Sequence, residues 1–184
     1  MKKNNFLRNS HLRRLIYAAV FLAMAQVLPF VTGQIPEIGK ALCPMHLPVI
    51  LCGILCGIPY GAAVGFGAPL LRSLLFGVPV MNTALGMAAE LLALGALSGL
   101  FRRLFPRRLP FLYLSLVCAI AGGRLALAAA KFVINGIAGT SFSFFAYLVG
   151  NVTNALPGIL LQLVVVPPLV LLLEKLFPLE DPLL

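Results

Sequence analysis

Residues 82–108 read NTALGMAAELLALGALSGLFRRLFPRR. From Asn82 to Phe101 the stretch is built almost wholly of Ala, Gly, Leu and Met, with Glu90 as its one ionisable group, and then Arg102, Arg103, Arg107 and Arg108 arrive together. A helix needs ~20 apolar residues to cross the hydrocarbon core of a bilayer. A dense basic run directly after such a segment is the mark of a cytoplasmic flank. The small residues suit close helix packing, because they let backbones approach.

The rest of the chain repeats this pattern. Of 184 residues 61% are hydrophobic and 10% charged, with a mean hydropathy of +1.04. A soluble domain of this length would carry apolar residues on one face of each element, whereas here whole stretches are apolar on every side. The expected fold class is an all-α membrane protein, a six-transmembrane-helix bundle forming a single domain over 1–184, with spans at about 14–31, 45–57, 62–76, 82–101, 110–134 and 147–176. Thr32 to Pro44, which holds Pro, Gly and Glu, reads as the first outer loop, and Ile58-Pro59-Tyr60-Gly61 as a tight turn. The second and third spans are short, and the third carries Pro69 and Arg72, as is typical of helices that line a cavity inside protein.

The net charge of +9 does not point to nucleic acid, because most Lys and Arg flank apolar spans. The basic start also resembles the opening of a signal peptide, but the apolar run from Leu15 is longer than a signal core and no soluble mature chain follows it. With both termini cytoplasmic, Lys2, Lys3, Arg8, Arg13, Arg14, Arg102, Arg103, Arg107, Arg108 and Lys175 fall inside and only Lys40 lies in an outer loop. Cys43, Cys52, Cys56 and Cys118 lack metal-finger spacing and read as small core thiols, and no metal site is expected.

Arg72, Glu90, Arg124 and Lys131 remain at membrane depth. A charge facing lipid costs roughly 2.5–3.5 kcal/mol on insertion scales, so these side chains should turn inward, pair with one another or meet a ligand. Glu90 can neutralise only one of the three cations. Either it forms a structural strut with Arg72 or Arg124 while Lys131 snorkels to the headgroups, or the surplus cations await an anionic group such as a carboxylate. His46, Asn82, Asn135, Asn151 and Asn154 stand at similar depth as polar neighbours. Asn82, Asn151 and Asn154 also suit helix caps, and His46 an interfacial position. No nucleophile elbow, zinc-protease helix, phosphate-binding loop or dinucleotide fingerprint is present, and the only aspartate is Asp181, so an enzyme is not expected.

The stretch Met45-His46-Leu47-Pro48-Val49-Ile50, followed by Gly53, Gly57, Pro59-Tyr60-Gly61 and Gly65-Phe66, resembles the H-x-P-V and G-x-x-x-G-x-x-x-G passage of the pantothenate-type branch of S components, the substrate-binding subunits of energy-coupling factor (ECF) vitamin transporters. Thr153-Asn154-Ala155-Leu156-Pro157-Gly158 is similar to the start of that branch's last helix. The resemblance spans nearly the whole length. It implies a multi-pass protein of the bacterial plasma membrane that takes a vitamin from outside and docks on a T subunit served by two ATPases. ATP would be used by those partners, and no cofactor would be bound by this chain. Ala19 and Ala23 match the family's Ala-x-x-x-Ala docking pattern on the first helix, while Leu15 and Val27 occupy the flanking positions of its longer form. Pantothenate is the first choice of ligand, because its carboxylate suits the surplus of Arg72, Arg124 and Lys131 over Glu90; riboflavin, folate and other small nutrients stay open. Rivals from other classes are a membrane scaffold subunit and a secondary transporter using Glu90 as a proton carrier.

Overall fold

The computed structural model describes residues 10–31, 43–106, 108–137 and 143–176. Most of the expected first outer loop, its Lys40, the basic residues Lys2, Lys3, Arg8 and Arg107, and Glu180 and Asp181 lie outside the described residues. Among those described there are helices and no strands: α1 (Ser10–Val31), α2 (His46–Cys56), α3 (Ile58–Phe76), α4 (Met81–Leu104), α5 (Leu109–Ile137), α6 (Phe144–Asn154) and α7 (Leu156–Leu176). Four of them, α1, α4, α5 and α7, contain segments long and apolar enough to cross a membrane. Helix α2 is equally apolar but has only 11 residues.

The expected spans differ from the helices most at two points, Gly57 and Ala155, and α4 also runs past Phe101 to Leu104. The reversal between α2 and α3 falls on Gly57 alone, at φ 99° and ψ 175°, and Ile58 and Pro59 already belong to α3. A positive φ of this size is open to glycine, whereas the fixed φ of proline suits the first helical turn, where its missing N–H is not needed. The turn is therefore one residue long. The expected sixth span is also two helices, parted at Ala155 (φ −95°, ψ 2°). Pro157 has no N–H to give the Thr153 carbonyl, so the α-helical ladder lacks one rung at this point. The Ala155 N–H closes α6 on the carbonyl of Asn151 instead.

The packing follows from the glycines. Helices α2, α3 and α4 meet along Gly53, Gly61, Gly65, Gly95 and Gly99, where an added Cβ would strike the facing backbone: Gly61 abuts Gly53, Gly95 abuts Gly61, and Gly65 abuts the Leu91 carbonyl. Helix α1 packs on α2 and α3, α5 runs along the opposite side of α4, and α7 closes against α2 and α5. The core between them holds Val49, Ile50, Leu91, Leu94, Leu112, Leu116, Val166 and Val170.

The distribution of polarity is inverted relative to a water-soluble bundle. Leu15, Val27, Leu74, Leu75, Phe145, Leu160 and Val164 face outward, whereas Arg14, His46, Arg72, Glu90, Arg102 and Arg124 are buried. Apolar exteriors and inward ionisable groups are what a lipid solvent selects. At one end of the bundle Arg102 donates from Nε and Nη2 to Glu174 Oε1, at 3.3 and 2.6 Å, tying α4 to α7. Ala19 and Ala23 are exposed on α1, on the same side as Leu15 and Val27.

Candidate functional site

A cavity of about 540 Å³ opens among α1, α3, α4, α5 and α6 and the start of α2. That volume is within the range of about 300–1,000 Å³ found for small-molecule sites. Arg72, Glu90, Arg124, Lys131, His46, Asn151 and Asn154 all line it. Asn82 is not on the wall but touches it through Lys131. None of the three asparagines acts as an N-cap: Asn82 and Asn151 lie inside α4 and α6, and Asn154 ends α6. Asn135 donates to the Lys131 carbonyl at 2.8 Å and is not part of the wall.

Helical spacing builds the charged part. Asn82, Gly86 and Glu90 recur every fourth residue on α4, and Arg124, Leu127 and Lys131 recur on the antiparallel α5, so the two series face each other rung by rung. At the deepest rung Glu90 Oε1 accepts from Arg124 Nη1 at 2.8 Å and lies 3.2 Å from His46 Nε2. A carboxylate oxygen can only accept, so that nitrogen of His46 carries the proton; Nδ1 has no partner among the described residues. Arg124 also donates from Nη1 to Asn151 Oδ1 at 2.9 Å and from Nη2 to Cys43 Sγ at 3.4 Å. One guanidinium thus joins α5, α4, α6 and the segment before α2.

The other two cations are held differently. Lys131 Nζ donates to the Asn82 carbonyl at 3.0 Å and to Asn82 Oδ1 at 3.3 Å. Arg72 donates from Nη1 to the Gln26 carbonyl at 2.9 Å, and its guanidinium carbon sits 5.0 Å from the centre of the Phe30 ring and 5.4 Å from that of Phe76. Ring faces attract a cation without neutralising it. Among the described residues the only carboxylate at the cavity is Glu90, and Arg124 takes it, so Arg72 and Lys131 meet neutral acceptors alone. The wall carries excess positive charge in surroundings that are otherwise apolar, formed by Pro29, Met45, Val78, Met87 and Leu127.

Several of these contributors were not singled out from the sequence. Cys43, read as a core thiol, is buried but bonds Arg124. Tyr147 lines the cavity one helical turn before Asn151, a spacing that helical periodicity makes legible. Gln26 enters through its backbone carbonyl, for which side-chain patterns carry no signal.

A family model described as the ECF transporter, substrate-specific component, matches residues 13–170. The chain belongs to this family. No match was found among curated proteins or solved structures. Membership makes this S component a multi-pass membrane protein and the substrate-binding subunit of an ECF importer, a transport subunit that works on a small molecule together with a T subunit and ATPases. The cavity is concave, mostly apolar and lined by a few convergent polar groups, as small-molecule sites are.

Proposed function

We propose that this S component captures a small carboxylate-bearing vitamin, pantothenate first, in the cavity bounded by Arg72, Lys131 and the Glu90–Arg124 pair, and delivers it through a T subunit driven by two ATPases. The observation that carries this reading is the pair of cavity-lining cations, Arg72 and Lys131, whose partners are neutral. A guanidinium offers a carboxylate two parallel donors, and the remaining wall supplies hydrogen-bonding groups at His46, Asn151, Asn154 and Tyr147 for the polar body of the molecule.

In this proposal the chain crosses the bacterial plasma membrane six times, α6 and α7 together making the last crossing, with both termini in the cytoplasm. The clustering of Arg102, Arg103, Arg107 and Arg108 after α4, and of Arg13 and Arg14 at the start of α1, supports that orientation. The cavity then lies toward the outside. The exposed Ala19 and Ala23 would form the face that docks on the T subunit, since small side chains permit close helix approach.

Thermal unfolding of the detergent-solubilised protein tests the ligand. Pantothenate at a hundred times its Kd adds ~2.7 kcal/mol of stability, and its neutral alcohol analogue is expected to add much less. Arg72→Ala should abolish most of that difference. Equal shifts with both compounds, or an Arg72→Ala variant that distinguishes them as the wild type does, would overturn the charge argument. For the docking face, Ala23→Leu is expected to leave ligand binding intact and stop uptake by the assembled transporter; undiminished uptake places the face elsewhere.

A further inference from the structure

Helix α4 contains three glycines of two kinds. Gly95 and Gly99 face backbone atoms of α2 and α3, and their lack of a side chain serves helix approach. At Gly86 the three atoms nearest to an added Cβ all belong to side chains. A Cβ there would lie 2.8 Å from Cε and 3.5 Å from Cδ of Lys131, and 3.2 Å from Cδ1 of Leu127. The aliphatic stem of Lys131 therefore lies in the gap that Gly86 leaves on the surface of α4. Beyond the stem, the ammonium reaches the carbonyl and side-chain oxygens of Asn82, one turn earlier on the same helix.

This placement settles what the lysine can do. A lysine near a helix end ordinarily extends its head toward the headgroups. Here the stem is directed across α4, and two of the three ammonium donors are given to Asn82 while the residue borders the cavity. One donor is left over. Alanine is the better helix former at a buried helical position, and α4 uses it at Ala84 and Ala88. The glycine at 86 runs against that preference, and the atoms nearest to an added Cβ there are those of the lysine stem and one leucine methyl.

We propose that Gly86 is a positioning residue for the transported substrate: its missing side chain seats the Lys131 stem across α4 and so holds the ammonium at the cavity wall, where it receives the anionic end of the ligand. The proposal rests on the carboxylate reading given above and extends it to a residue that touches no ligand. Because a lysine stem is flexible, Gly86→Ala moves the ammonium without breaking the fold.

Pantothenate and its neutral alcohol analogue are the probes, measured by calorimetry on the full-length solubilised protein and on three variants. Lys131→Ala is expected to bind pantothenate about tenfold more weakly, and Gly86→Ala to lie within about threefold of it, with the double variant no weaker than Lys131→Ala alone. The alcohol should bind all four proteins alike. The ligand-free melting temperature of Gly86→Ala should equal or exceed that of the wild type, which a merely structural glycine would not allow. Wild-type binding of pantothenate by Gly86→Ala, or additive losses in the double variant, overturns the inference. A structure of ligand-free Gly86→Ala decides it independently of the ligand's identity. Displacement of Lys131 Nζ from Asn82 supports the mechanism, and an unchanged hydrogen bond refutes it. Failure of the wild type to bind pantothenate removes the proposed vitamin while leaving that structural test in force.

Discussion

Helix α4 shows two faces of opposite design. Toward α2 and α3 it presents Leu91, Gly95, Ser98 and Gly99, and the helices approach until backbone meets backbone. Toward α5 it presents Asn82, Gly86 and Glu90, and the long side chains of Arg124 and Lys131 cross to meet them. Van der Waals packing of small residues needs no water to drive it and works in lipid. A charged contact has the opposite character, since each buried ion depends on its partner and is costly when the partner is removed. One face is thus a frame, and the other is a polar wall that the frame keeps in place.

The difference can be broken most strongly at Glu90. Glu90→Ala leaves Arg124, itself almost fully buried, without its carboxylate, and removes the acceptor of His46. Losing one partner of a buried pair costs about 3–5 kcal/mol, and denaturation of the solubilised variant should show a loss of this order. A change below about 1 kcal/mol would mean that Arg124 is compensated by other acceptors and that the wall is not organised around Glu90. A smaller effect is expected on the frame. At Gly65 a Cβ would press on the Leu91 backbone, so Gly65→Ala should cost about 1–3 kcal/mol, as overpacking usually does. At Gly123, on the α5 side, the nearest atoms are the Glu90 carbonyl oxygen and Leu94 Cβ, both at 3.3 Å, and Gly123→Ala should stay within about 1 kcal/mol of the wild type because better helix propensity offsets slight crowding. If Gly123→Ala proved as damaging as Gly65→Ala, the two faces would not differ in tolerance.

The charged wall was legible in the sequence for a physical reason. Ionisable groups within apolar spans must turn inward, so Arg72, Glu90, Arg124 and Lys131 could be gathered from their positions in the chain, and the structure puts all four around one cavity. Their pairing was not legible. Whether Glu90 meets Arg72 or Arg124 depends on helix rotation and on which helices are neighbours, and apolar-span counting carries neither. The family resemblance also rested on residues whose roles the fold makes plain, since Gly53, Gly61 and Gly65 form much of the close-packed seam and Gly57 makes the reversal. The helix boundary at Phe76 was recovered, because Gly77 ends an apolar run there, whereas α4 runs past the expected end at Phe101 to Leu104, with Arg102 turned inward to Glu174. The break at Ala155 was missed, because 147–176 is apolar enough to read through a single non-helical residue placed just before Leu156 and Pro157. The Arg72 anchorage was invisible for a similar cause, since the Gln26 carbonyl is a backbone atom that every residue has.

Helix α6 brings Ala146, Tyr147, Gly150, Asn151 and Asn154 to the cavity, yet none of its own residues is buried. A segment with so little apolar anchorage opens at a lower free energy than the bundle as a whole. The chamber is therefore enclosed by partitions of unequal permanence. Its eleven-residue side wall is seated less deeply than the glycine-welded trio behind Glu90, and the hydrogen bond from Arg124 to Asn151 is one of the contacts that tie it to the bundle.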